Sequence, residues 1–259
     1  MNDFSGKVAL VTGGGSGMGR AISVALARAG ASIAICGRRP EPLAETIALC
    51  EEHGARALAV PTDVRDPDAV EAFVERATTS LGVPDLLVNN AAGNFICPAI
   101  DLSPNGWRAV VDIVLNGSFY CSTAVARRMR DAGKGGAMLS IVATYAWTGN
   151  PGTAHSAAAK AGVWNLTKTL AVEWAPLGIR VNCIAPGVTA TEGASAHLFP
   201  TDEIRAAMTA RVPLRRFASL DDITSAALFL LSEKSAGYVT GECLTLDGGM
   251  SLAPAMFEH

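Results

Sequence analysis

Short apolar runs alternate with longer amphipathic stretches along the whole chain. Val8–Val11, Ser32–Cys36, Ala57–Val60, Leu86–Val88, Ala137–Val142, Ile179–Ile184 and Cys243–Leu246 are too short for helices and carry apolar side chains at successive positions, as strands buried on two faces do. Between them the helical period predicts helices over Gly17–Ala29, Glu41–His53, Asp68–Leu81, Pro104–Arg130, Ala154–Trp174 and Asp221–Leu231. Such alternation predicts an α/β fold with a doubly wound parallel sheet and right-handed crossovers. No linker, charge block or repeat interrupts the pattern, so residues 1–259 are expected to form a single domain. One stretch, residues 188–220, breaks the alternation after Pro186-Gly187, with a short helical piece around Asp202–Ala210. A long excursion at the carboxyl end of a strand predicts a flap over a ligand.

Composition narrows the function classes. Hydrophobic residues make up 49% of the chain and charged ones 17%, which indicates a globular protein. The net charge of −3 excludes a nucleic-acid binder held by strong overall positive charge. No apolar run approaches the ~20 residues of a bilayer span, and the start of the chain lacks a signal-peptide pattern. The tail Phe257-Glu258-His259 is not a peroxisomal address, so a cytoplasmic protein without membrane attachment is expected. Six scattered cysteines (Cys36, Cys50, Cys97, Cys121, Cys183, Cys243) and four scattered histidines (His53, His155, His197, His259) predict no metal site and no disulfide framework, the thiols being small buried groups and the imidazoles lying at the surface.

The first predicted strand ends in Thr12-Gly13-Gly14-Gly15-Ser16-Gly17-Met18-Gly19 and runs into an alanine-rich helix. Glycines permit a tight turn and close backbone approach, and the free N–H groups of a helix start favour a pyrophosphate. In a strand–turn–helix context this predicts a Rossmann-type dinucleotide site, with Gly13, Ser16, Gly17 and Met18 at the phosphates. The second strand ends Cys36-Gly37-Arg38-Arg39. An acidic residue there would hold a ribose diol; two guanidiniums instead suit a 2′-phosphate, which predicts NADP(H).

The glycine loop resembles the TGxxxGxG of the short-chain dehydrogenase/reductase family. The resemblance extends to Asp63-Val64, to Asn89-Asn90-Ala91-Ala92-Gly93 and to Ile179–Gly187, in the same order along the chain. It implies that Asp63 and Val64 hold the adenine, that Asn90, Ala91 and Gly93 line the cofactor groove, and that Pro186, Gly187 and Val188 meet the nicotinamide amide. It also implies a homotetramer built through the Pro104–Arg130 and Ala154–Trp174 helices.

The chain departs from the family at its usual serine–tyrosine–lysine set. Lys160 aligns with the lysine, but Ser156 stands four residues earlier where tyrosine is usual, and Ala143 stands where serine is usual. An aliphatic hydroxyl has nothing like a phenol's acidity, so ordinary carbonyl chemistry cannot move to Ser156 unchanged. Tyr145, Asn94 and the run Ser156-Ala157-Ala158-Ala159-Lys160 resemble the 2,4-dienoyl-CoA reductase branch of the family. That branch implies Asn94, Tyr145, Ser156 and Lys160 as catalytic residues, with Asn94 and Tyr145 hydrogen-bonding the thioester oxygen of the substrate, an acyl-CoA or an acyl-carrier thioester, between which the residues do not distinguish. Asp112 is either a proton relay or a packed carboxylate, Asn116 a lysine support or a helix-bend stabiliser, and Ser156 an orienter of Lys160 or plain helix packing. Phe95, Ile96, Trp147, Leu198 and Phe199 are candidates for an acyl slot; Arg211, Arg215 and Arg216 either meet phosphates or are solvated. A carbonyl reductase using Tyr145 as donor and a catalytically silent NADP(H)-binding protein remain as alternatives.

Overall fold

The computed structural model describes residues 4–190 and 201–252. Seven strands, β1 (Val8–Thr12), β2 (Ser32–Gly37), β3 (Ala57–Pro61), β4 (Leu86–Asn89), β5 (Gly136–Ile141), β6 (Ile179–Pro186) and β7 (Cys243–Leu246), form one sheet in the order β3-β2-β1-β4-β5-β6-β7. All neighbours pair in parallel. The apolar runs are continuous because both faces are covered. In β1, Ala9 and Val11 face α1 (Gly17–Arg28) and α9 (Leu220–Leu231), meeting Ile22, Leu26, Ile223 and Leu230. Val8 and Leu10 face the opposite layer, α3 (Pro67–Leu81) and α5 (Gly117–Asp131), meeting Phe73, Val125 and Met129. Helix α2 (Pro40–Glu51) follows β2, and α7 (Ala154–Trp174) covers β6.

Pro104–Arg130, expected as one helical stretch with a bend at Asn116 among the alternatives, is α4 (Pro104–Val111), a π-helical stretch (Asp112–Asn116) and α5. The widened stretch packs against α7, where a Cβ added to Gly162 would lie 3.0 Å from Leu115. By length and composition the 28-residue run Pro104–Asp131 is apolar enough to cross a membrane, contrary to the expectation that no run approaches that length. In the fold its apolar side chains Cys121, Val125 and Met129 are buried against the sheet layer. A short helix, α6 (Tyr145–Thr148), follows β5.

The excursion after β6 is closed at its base. Ala218 N–H donates to the Val188 carbonyl and Ala190 N–H to the Ala218 carbonyl, both at 2.9 Å. The short helix expected within it, α8 (Asp202–Ala210), is present and capped by Thr201. A further helix, α10 (Glu233–Ala236), follows α9. Thr191, Glu192, Leu198 and Phe199, and the tail Phe257–His259, lie outside the described residues.

Candidate active site

The strand order reverses between β1 and β4, which opens a crevice at their carboxyl ends where ligands of open α/β sheets bind. Asn90 ties the crevice floor together, its amide donating to the Thr12 and Gly13 carbonyls (3.0 and 3.1 Å). The Asn90 and Ala91 N–H groups both donate to Thr12 Oγ1 at 3.0 Å. Gly13 has φ +64°, and a Cβ on Gly19 would sit 2.3 Å from the Gly13 carbonyl oxygen, so α1 starts hard against the strand end only because residue 19 has no side chain. Arg20 clamps the loop from behind, donating to the Gly15 carbonyl at 2.7 Å and pairing with Glu45.

The residues fit a dinucleotide. Asp66, Ser103 and Ser219 cap α3, α4 and α9 with side-chain oxygens, whereas Ser16 makes no such bond to α1. The first-turn N–H groups of α1 are therefore left for an external anion. The adjoining cavity, about 250 Å³, is lined by Gly13, Ser16, Arg38, Arg39, Asp63, Val64, Asn90 and Ala91. Arg38 and Arg39 are exposed and make no hydrogen bond or ion pair among the described residues. Asp63 is not free: Arg65, unremarked in the sequence, grips both its oxygens and keeps its carboxyl below the usual carboxylate range.

On the other side of the crevice, Tyr145 and Ser156 meet, Oη to Oγ, at 3.1 Å. Ser156 is buried, and it does not orient Lys160; its partner is the phenol eleven residues earlier. Lys160, one turn further along α7, is buried and donates to the Ile141 carbonyl at the end of β5. Burial holds its ammonium down to a pKa of about 8. Asn116 donates to Asp112 Oδ1 at 2.8 Å inside the π-helical stretch, a local polar pair that steadies the widened turn and agrees with the packed-carboxylate and helix-bend alternatives for these two residues.

Asn94 lies on the exposed loop after β4. Its Oδ1 accepts from Phe95 N–H at 2.9 Å, which turns the amide nitrogen outward as a donor without a partner among the described residues. The Phe95 ring stands edge-on to His155, centroids 4.5 Å apart, and Cys97 N–H donates to the Gly152 carbonyl at 2.9 Å. These contacts dock the Asn94 loop onto the first turn of α7, beside Ser156. His155, expected with the other histidines at the surface, is fully buried, its Nδ1 accepting from Ser156 N–H and its ring against Phe95; an isolated histidine carries no signal until its neighbours are known.

The remaining candidates are dispersed. Val188 and Trp147 line a second, larger cavity of about 1150 Å³ reaching along α7 to β7. Phe95 and Ile96 are exposed at the crevice mouth. Arg216 pairs with Asp222 at 2.6 Å, tying the end of the flap to the first turn of α9, and Arg215 donates to the Ala210 carbonyl within the flap, so both are engaged in local structure. Among the described residues no three His, Cys, Asp or Glu side chains cluster as metal ligands would.

A doubly wound sheet with an open helix N-terminus at its switch point, faced by a lysine and a phenol, defines a dinucleotide-dependent oxidoreductase. The family profile described as "Enoyl-(Acyl carrier protein) reductase" matches residues 13–251. A Bacillus subtilis (strain 168) protein named "Probable 2,4-dienoyl-CoA reductase [(2E)-enoyl-CoA-producing]" is 45% identical over 97% of this chain and 99% of its own. The peroxisomal 2,4-dienoyl-CoA reductase of Saccharomyces cerevisiae, named as (3E)-enoyl-CoA-producing, is 39% identical over 99% of this chain and 88% of its own. A crystal structure from Agrobacterium tumefaciens with bound NADP superposes with a TM-score of 0.89 at 36% identity, covering 97% of this chain and 98% of that one. The chain belongs to the short-chain dehydrogenase/reductase family, in its 2,4-dienoyl-CoA reductase branch. It is an enzyme of the NAD(P)(H)-using oxidoreductases.

Proposed function

We propose that this enzyme reduces a conjugated acyl thioester, a 2,4-dienoyl-CoA, with NADPH. The observation that carries the reading is the Tyr145–Ser156 hydrogen bond. The phenol that the family usually places one turn before the lysine is supplied here from a separate short helix, and the serine at that position holds it.

A bound dihydronicotinamide supplies hydride to the far carbon of the diene. Electron density then moves to the thioester oxygen, and the protein's task is to receive it. Ser156 is buried against Tyr145, a contact in which either hydroxyl can donate; with Ser156 as the donor to the phenol oxygen, the Tyr145 proton is left for the thioester oxygen. The unengaged amide nitrogen of Asn94 is a second donor. Two such donors aimed at a developing oxyanion are each worth roughly 3–4 kcal/mol. Lys160 binds the nicotinamide ribose and adds positive charge near the same oxygen. Pro186, Gly187 and Val188 hold the carboxamide, and Gly13, Ser16, Gly17, Met18, Asn90, Ala91 and Gly93 hold the diphosphate and groove side of the cofactor. Asp63 and Val64 take the adenine, which requires Asp63 to share its carboxylate with Arg65.

The free guanidiniums of Arg38 and Arg39 beside the crevice support the choice of NADPH, as does the NADP in the related structure. A homotetramer belongs to the same reading: Phe119 on α5 and Val172 on α7 leave large apolar side chains exposed on the helices expected to form its interface. The cytoplasmic location rests on the sequence, and the yeast relative is named peroxisomal.

The test is to incubate the protein with NADPH and 2,4-hexadienoyl-CoA, beside NADH and a panel of ketones. Loss of nicotinamide absorbance with the dienoyl thioester alone is the expected result. Turnover of ketones without the thioester identifies a carbonyl reductase, and NADPH binding without turnover a silent homologue; either overturns the proposal. Running the reaction in D₂O places the new proton: label at C4 gives the 2-enoyl product, label at C2 the 3-enoyl product.

A further inference from the structure

Cys183 and Cys243 are sixty residues apart in sequence and directly paired in register on β6 and β7. Paired residues of neighbouring parallel strands project from the same face, and these two share the apolar cluster beneath α7 with Val163 and Trp164. Cys183 is fully buried. Cys243 is partly open and lines the large cavity alongside Trp147, Trp164 and Lys168.

Each thiol shifts the other's acidity, in opposite senses. Cys183 is pushed up by its hydrogen bond to Cys243 and by burial, and so keeps its proton. Cys243 is drawn below the usual thiol range, chiefly by the Cys183 S–H; burial and the neighbouring Glu242 carboxylate push the other way, and the Lys168 ammonium adds to the lowering. Burial acts the other way on Cys36, on Cys50 (to about 11) and on Cys121 (to about 12). The thiolate is the nucleophilic form of cysteine. One sulfur of the six therefore combines thiolate character, a cavity to approach from and a second thiol in contact.

We propose that Cys243 and Cys183 form an oxidation site for hydroperoxides, with Cys243 the attacking and Cys183 the resolving thiol. The Cys243 thiolate attacks the outer oxygen of a hydroperoxide. An S–O bond forms, the O–O bond breaks, and the alcohol leaves with a proton from solvent; sulfur is oxidised by two electrons to a sulfenic acid as the peroxide is reduced. Cys183 then attacks the Cys243 sulfur. An S–S bond forms, the S–O bond breaks, and water departs carrying the Cys183 proton. Neighbouring strands about 4.8 Å apart put the two Cα atoms within the 4.4–6.8 Å a disulfide requires. The bridge would fasten the edge strand β7 to β6, whose end carries Pro186-Gly187-Val188.

The test uses the full chain, cumene hydroperoxide and peptide mapping by mass spectrometry without reduction. The expected result is two thiols lost per hydroperoxide, with the Cys183 and Cys243 peptides joined within one chain. Cys183→Ser should stop the reaction at a sulfenic acid on Cys243 that dimedone traps. Cys243→Ser should slow loss of the Cys183 thiol by about tenfold or more. Oxidation of Cys97, the other partly exposed thiol, as fast as Cys243 overturns the proposal. So does a bridge to any other cysteine, or an unoxidised Cys243 in the Cys183→Ser protein. The wild-type map needs no variant to fold.

Discussion

Replacing Tyr145 by phenylalanine removes one oxygen and keeps the ring. In the free protein that oxygen meets Ser156 Oγ at 3.1 Å, and Ser156 is buried. The substitution therefore strands a hydroxyl at a cost of roughly 1–3 kcal/mol in stability. If the phenol donates to the thioester oxygen, the transition state loses a further ~2.7–4 kcal/mol, or about 10²–10³ in kcat. Ser156→Ala gives the contrast. It removes the group behind the phenol and leaves the phenol itself, so the net loss is that of one neutral hydrogen bond, roughly 0.5–1.5 kcal/mol or about 2- to 12-fold. The assay is single-turnover reduction of 2,4-hexadienoyl-CoA at saturating NADPH. Cofactor affinity, read from nicotinamide fluorescence, should stay near wild type in both proteins, and thermal unfolding separates stability from chemistry. Losses of equal size in the two variants, or Tyr145→Phe retaining more than about a third of wild-type kcat, would refute the assignment of the phenol as the oxyanion donor.

Lys160, held at about 8 by burial, titrates within reach of ordinary buffers. Because its folded pKa lies below the unfolded value of 10.5, the unfolded chain binds more protons between about pH 8 and 10.5, and this group's contribution to stability rises with pH across that window. Activity should move oppositely: kcat/KM for NADPH falls as pH passes about 8 and the ammonium is lost, and a profile flat to pH 10 removes Lys160 as the charged contact. Arg38→Ala with Arg39→Ala should raise the KM for NADPH by about 10- to 150-fold, the worth of one charge-assisted hydrogen bond of roughly 1.5–3 kcal/mol, while leaving that for NADH within about threefold; equal losses with both cofactors in steady-state kinetics argue against 2′-phosphate recognition.

The sequence by itself determined the sheet and its cofactor half. A strand covered on both faces is apolar at nearly every position, so β1, β2, β4 and β5 are visible as continuous runs, while β6 keeps its run around Arg180 and Asn182 and the edge strands β3 and β7 are short apolar stretches. Gly13 and Gly19 are equally legible, because a positive φ and the absence of room for a Cβ are local demands that only glycine meets. The open helix start beyond Ser16 follows from the same few residues. Arg38 and Arg39 could be placed at the crevice because a strand end fixes where they emerge.

Tertiary structure decided the catalytic half. Ser156 was expected to serve Lys160 or merely to pack, since helical spacing relates residues on one helix and says nothing of a phenol arriving from another; the turn at residues 149–153 brings Tyr145 to it. The π-helical stretch inside Pro104–Asp131 was invisible for a related reason: its apolar period is that of a helix, and it is packed against α7, with Leu115 close to Gly162. Cys183 beside Cys243 is likewise a product of chain crossing, whereas Arg65 reaches Asp63 from only two residues along the chain. Periodicity records which face of an element is buried, while side-chain chemistry between elements depends on a register that exists only once the sheet has closed.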